Sequence, residues 1–267
     1  MTKIVTFLSL FFLGFCVNML LVGMGFNVYV NNVLSQLCTW FLPACGYLVI
    51  THQQPIHYLK LDRFTSTKTI LWSLAFVVTI YVVLDRLDYW NQQIVLPDSL
   101  HVFRELEDKS IDLIRQLLGT DTSLSNFMRS LFLMAVLPAL CEEIFFRGVI
   151  QNALLHKTRR THLAIWLAAL IFSAIHLQFY GFFSRWLLGA MLGYLYVFTQ
   201  SLWIPIIVHF LNNAITVIVY FIYLNQWLPI DDPFSVSTPV FPIYITLLGC
   251  ALSVYLMVRM APKLNNE

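Results

Sequence analysis

Apolar stretches long enough to cross a bilayer recur through this chain, near residues 4–30, 33–51, 69–84, 130–155, 162–178, 184–199, 203–223 and 239–258. A helix needs about 17 to 25 such residues to traverse about 30 Å of hydrocarbon. Of the 267 residues, 59% are hydrophobic and only 11% charged, against about 25% charged in an average soluble domain. A soluble fold has no interior large enough for that apolar surface. The expectation is one all-α, polytopic transmembrane bundle over 1–267 with about eight spanning helices. Three spans occupy 1–84, a polar loop 85–129, four core spans 130–223, and a last span with a tail 224–267. The run from Ile4 to Val30 is too long for a signal peptide and lacks a small-residue cleavage site, so it reads as the first span.

Charge sets the expected orientation. Lys3, then Lys60, Arg63 and Lys68, then Lys157, Arg159 and Arg160, then Arg259 and Lys263 fall in alternate connections or termini. Cytoplasmic segments carry that excess, so both termini are expected in the cytoplasm, with a bacterial cell membrane as host. The connection from Asp85 to Asn126 lies opposite and is acidic. Within it Leu106, Ile111, Leu113, Ile114, Leu117 and Leu118 recur at near-helical spacing, which predicts an amphipathic helix on the bilayer or capping the bundle. A net charge of +2 without a basic tract leaves no case for nucleic acid. The five cysteines fall in predicted spans without a CxxC pair and read as packing residues. Gly189 and Gly193 read as a helix contact.

The fourth span places Glu142, Glu143 and Arg147 in an otherwise apolar helix. A charge at the centre of a spanning helix costs roughly 2.5 to 3.5 kcal/mol, so three unpaired ones approach about 10 kcal/mol; they must pair, protonate or face water. Glu143 and Arg147 stand one turn apart with the acid N-terminal, the favourable order for a carboxylate–guanidinium bond. Glu142 lies about 100° around the helix and needs partners from elsewhere. The fifth span offers His176, and the seventh His209 with Asn213 one turn later. A carboxylate, two imidazoles and an amide in a dry pocket can deprotonate water and stabilise an oxyanion. Glu142, His176 and His209 equally make a candidate zinc set, with Asn213 as a further oxygen donor or outer partner. Thr199, Gln200 and Asn212 read as helix-end or interhelical glue.

These residues resemble the CPBP intramembrane proteases, which include the CAAX prenyl endopeptidases and bacterial Abi-like relatives. The family's Glu-Glu-x-x-x-Arg corresponds to Glu142, Glu143 and Arg147, its Phe-x-x-x-His to Phe172 and His176, and its His-x-x-x-Asn to His209 and Asn213. Order and spacing agree across three predicted helices. The resemblance implies an intramembrane endopeptidase acting on a membrane-associated protein or peptide. Glu142 and His176 would activate water, His209 and Asn213 would hold the oxyanion, and Glu143, Arg147 and Phe172 would support them. Whether zinc is bound or a glutamate base works without metal stays open, because the same side chains serve either scheme. Other intramembrane chemistries fit less well: there is no His-Glu-x-x-His helix, no paired aspartyl motif, and neither Ser173 nor Ser184 has a serine-protease setting. Two readings from other classes use the same cluster. One is a transporter or ion relay, against which stands the lack of symmetry between halves. The other is a non-catalytic immunity or scaffold protein.

Overall fold

The computed structural model describes residues 2–63, 65–235 and 241–261, and among them all regular structure is helical. Nine long helices follow one another: α1 Thr2–Val22, α2 Val28–Ile50, α3 Thr67–Gln92, α4 His101–Leu118, α5 over 124–158, α6 Thr161–Ala174, α7 Phe182–Thr199, α8 Trp203–Leu224 and α9 Ile243–Met260. Each expected span thus has a helix. Of these, α2, α3, α8 and α9 are long and apolar enough to cross a bilayer, and shorter apolar helices cover Thr6–Val22 and Thr161–Ala174. The chain is an integral membrane protein.

Several boundaries move for local reasons. The first run divides after Val22, and α2 starts behind Asn27, whose Oδ1 accepts the N–H of Val30 at 3.0 Å. That satisfies one of the donors a helix start leaves open. Ser66 caps α3 in the same way through Thr69 N–H, at 3.3 Å. Helix α3 then runs on to Gln92, so Asp85 and Asp88 sit on a helix rather than in the polar loop. They are tolerated there because each meets protein: Phe241 N–H donates to Asp85 at 3.4 Å, and the Ser184 hydroxyl donates to Asp88. Helix α5 begins at Leu124 instead of 130, capped by Ser123, which accepts Asn126 N–H at 3.2 Å. The Ser123 hydroxyl and N–H also donate to Asp121, at 2.6 and 2.9 Å, and hold that exposed carboxyl below the usual carboxylate range. The expected start of the last span at 239, and Lys263, lie outside the described residues.

Helices α2 and α5 share a distortion. A π-turn at Leu37–Phe41 precedes Pro43, and another at Phe132–Val136 precedes Pro138. Proline has no N–H for the helical ladder and its ring crowds the preceding turn, so the backbone widens ahead of it. A longer π segment, Ile144–Gln151, carries Arg147.

Two apolar clusters organise the bundle. Phe145, Phe146 and Val149 of α5 pack with Ala44, Tyr47 and Leu48 of α2, Phe172 of α6 and Tyr196 of α7. Aromatic rings tie this cluster together: Trp40 lies 5.1 Å from Phe145 and 5.4 Å from Phe146, and Phe146 lies 4.9 Å edge-on to Phe172. The second cluster joins Phe76, Ile80 and Leu84 of α3 to Leu188 and Leu192 of α7, Val208 of α8 and Leu256 of α9. Helix α4 is amphipathic, as its spacing predicts. It buries Leu117 and Leu118, sets Ile114 beside Val217 and Tyr220, and ties Arg115 to Asp232 at 2.7 Å.

Candidate active site

Glu142, Glu143 and Arg147 are all buried in α5, with 5%, 0% and 1% of their surface exposed. The expected one-turn pair forms: Arg147 Nη1 donates to Glu143 Oε1 at 2.8 Å. The other arm of the guanidinium donates to the Gly189 carbonyl of α7 at 3.0 Å, and its carbon sits 5.1 Å above the Phe172 ring. One turn later Gln151 repeats the pattern, donating to the Gly193 carbonyl at 3.1 Å. Positions 147 and 151 of one helix therefore meet 189 and 193 of the next, and the two glycines make this approach feasible. A Cβ on Gly193 would lie 2.6 Å from Gln151 Oε1 and 2.9 Å from Ile165, and one on Gly189 would lie 3.1 Å from Ala169 Cβ. The glycine pair is a helix contact whose carbonyls also receive the buried guanidinium and amide.

His209 of α8, 3% exposed, joins the two carboxylates. Its Nδ1 lies 2.8 Å from Glu143 Oε1, and its Nε2 faces Glu142 Oε2 at 4.0 Å. Glu143 Oε1 thus takes both Arg147 and His209, while Oε2 of the same carboxylate is buried without a partner. A carboxylate on Nδ1 fixes the orientation of an imidazole and presents its other nitrogen to the pocket. Residue spacing shows the pairing of Glu143 with Arg147, but not this second task, because it depends on how α8 packs against α5. Gln36 of α2, on the stretch that packs against this part of α5, is a further polar neighbour of Glu142.

His176 lies beyond the end of α6 at Ala174, not inside a span running to 178. The chain turns there because the Ser173 hydroxyl donates to Phe182 O at 2.6 Å and Leu177 takes a left-handed φ of 55°. His176 Nδ1 lies 2.6 Å from Phe172 O. A carbonyl only accepts, so Nδ1 carries the hydrogen and Nε2 of the neutral ring is left as an acceptor. The imidazole packs edge-on to Phe172 at 5.0 Å, and the Phe172 ring is 6.1 Å from that of His209. Phe172 therefore borders both histidines and the guanidinium. The loop after His176 is held from outside: Tyr180 N–H donates to Glu107 of α4 at 3.2 Å, and Arg185 Nη1 donates to Gln178 Oε1 at 2.7 Å.

Asn213 stands one turn after His209 and is half-buried. Its Oδ1 accepts from Asn212 Nδ2 at 3.3 Å, which leaves its own NH₂ as the donor. Asn212, expected as helix-end or interhelical glue, is thus a hydrogen-bond neighbour of Asn213.

Catalytic zinc takes three protein ligands and one open position. Among the described residues, no three His, Cys, Asp or Glu groups come together as such a set. Glu142 and His209 face each other, and His176, in the turn after α6, keeps Nε2 free while Nδ1 is bonded to Phe172 O, the outer bond a metal-ligating imidazole commonly makes. The chemistry below is derived from the side chains themselves.

Comparison with known proteins bears on the same segment. Residues 124–215 match the family model of the Rce1-like type II CAAX prenyl endopeptidases. Over 89 residues the chain is 36% identical to the uncharacterized protein YpbD of Bacillus subtilis (strain 168), which covers 31% of this chain and 41% of YpbD. The chain therefore spans less than half the length of that relative. No solved structure matches. The segment that matches the Rce1-like type II CAAX prenyl endopeptidase model holds Glu142, Glu143, Arg147, Phe172, His176, His209 and Asn213, the residues of the three motifs.

Proposed function

We propose that this chain is an intramembrane endopeptidase that hydrolyses a peptide bond in a membrane-associated protein or peptide. The observation that carries the proposal is the buried relay in which Glu143 holds His209 Nδ1 at 2.8 Å and turns Nε2 toward Glu142 at 4.0 Å. A water about 2.8 Å from each of those two atoms closes a triangle with ordinary hydrogen-bond lengths. Glu142 takes a proton from this water as its oxygen bonds to the substrate carbonyl carbon. The bare Nε2 of His176 is the second acceptor that orients the water. Charge then develops on the carbonyl oxygen, toward which the Asn213 NH₂ donates. The His209 ring, held through Nδ1 by Glu143, lies beside the same oxygen and supports it. The C–N bond breaks, and the proton on Glu142 passes to the departing amine.

Burial is what makes these groups effective. Fixed donors in a dry site act on developing charge more strongly than water does and do not reorganise during the step. His209→Gln keeps an amide in the space but not the ring that Glu143 holds. In the purified protein it is expected to lower kcat by about 10²- to 10³-fold, the usual effect of losing one contact to an oxyanion. Unchanged turnover in a folded His209→Gln variant would remove His209 from that role.

A further inference from the structure

The N-terminal half of α2 belongs to the spans outside the Rce1-like segment, yet it packs directly on the part of α5 that carries Glu142. This stretch, Val28–Gln36, reads VYVNNVLSQ and is unusually polar for a helix inside a membrane protein. Two polar side chains at its ends are engaged elsewhere. Asn27 caps the helix, and Ser35 on another face donates to Asn18 of α1 at 2.8 Å. Asn31 gives its NH₂ to Phe26 O at 2.9 Å, while its Oδ1 is buried without a donor. Asn32 and Gln36 stand one turn apart on one face, and Asn32 Oδ1 and Gln36 Oε1 are likewise buried without a hydrogen-bond donor. A buried acceptor without a partner is costly and exceptional in a folded protein. Gln36 also lies on the stretch that packs against the Leu137–Glu143 turn of α5, as a polar neighbour of Glu142.

Resting on the endopeptidase reading, we infer that Asn32 and Gln36 bind the main chain of the peptide substrate, each accepting an N–H from an extended segment beside the bond to be cut. The spacing supports this ligand. Four residues of helix separate the two acceptors by about 6 Å along the axis. An extended chain rises about 3.3 Å per residue and presents N–H groups to one side every second residue, hence about 6.6 Å apart. Two acceptors at this interval suit residues n and n+2 of a strand-like peptide. Gln36 places one end of that strand at Glu142, so the carbonyl to be attacked lies at the Gln36 end of the pair. Side-chain recognition is not needed for such binding, because every peptide offers these N–H groups except at proline. A helical substrate segment has its N–H groups occupied by its own ladder, so it must open locally before it is held and cut.

The test is an ester scan of a peptide that the native protein cleaves. Each non-scissile amide N–H is replaced singly by oxygen, which removes one donor and leaves the side chains unchanged. Two positions, two residues apart, are expected to lose kcat/KM by about 5- to 20-fold each, the effect of leaving one buried acceptor unmatched. In Gln36→Met the penalty at one position should disappear while that at the other persists, and Asn32→Leu should show the reverse. A scan of the native protein with no such pair of losses would overturn the inference without any variant, even if Gln36→Met fails to fold. Variants that keep both penalties would overturn it too. If the native protein cuts no peptide at all, the endopeptidase reading itself falls, a result distinct from cleavage that is indifferent to the esters.

Discussion

Glu142→Gln is expected to reduce peptide cleavage by about 10³-fold in purified, bilayer-reconstituted protein, within the range by which a positioned general base accelerates a reaction. The variant should still fold. Glu142 is not part of the cross-helix bracing: Arg147 and His209 both bind Glu143 Oε1, and Arg147 and Gln151 reach the glycine carbonyls of α7 without it. Glutamine has the same size and retains a polar group beside Gln36, but it cannot take a proton from water. Thermal unfolding monitored beside the cleavage assay separates the two effects. A variant with native unfolding and undiminished cleavage would show that another group is the base.

Arg147→Met is expected to fail at an earlier stage, in folding. The guanidinium is 1% exposed and satisfies Glu143 Oε1 and the Gly189 carbonyl at once. Its removal leaves a buried carboxylate facing an unbalanced environment and a carbonyl without its donor. Breaking one side of a buried ion pair costs about 3 to 5 kcal/mol, a large part of the about 5 to 15 kcal/mol by which a typical protein is stable. Most of the folded protein should be lost, as measured by monodispersity after detergent extraction and by thermal unfolding. Adding Glu143→Gln should restore much of the folded fraction, since the neutral amide no longer needs a cation and still offers His209 an oxygen. Activity should remain low, because the charge that orients His209 is gone. A stable, active Arg147→Met single variant would contradict the bracing role.

How far the sequence reached depends on whether an interaction lies within one helix or between two. Glu143 with Arg147 was legible because both ends lie one turn apart on α5. The helix positions followed from apolar run length, and α4 from the spacing of Ile114, Leu117 and Leu118. The grip of Glu143 on His209 was not legible, since residues 66 positions apart meet only through the packing of α8 on α5. Gln36 was hidden for the same reason: it sits in an expected apolar span, and only the packing of α2 on α5 makes it a neighbour of Glu142. His176 was misplaced relative to its helix because the apolar run continues through Leu177, while the turn is set by Ser173 bonding to Phe182 O. Asp85 and Asp88 looked like loop residues because their partners, near Phe241 and at Ser184, are about 100 residues or more away in the chain. Periodicity reports which face of a helix is apolar, not which distant side chain will meet its polar exceptions.

The most direct test of the account is quantitative profiling of protein termini in membranes from cells that carry either the native chain or Glu142→Gln at equal abundance. New termini, in or beside membrane segments of one or a few proteins, are expected with the native chain and not with the variant. Identical profiles, with both proteins folded and matched in amount, would contradict it and turn the buried Glu142–His209–Glu143–Arg147 cluster toward ion relay or a purely structural role.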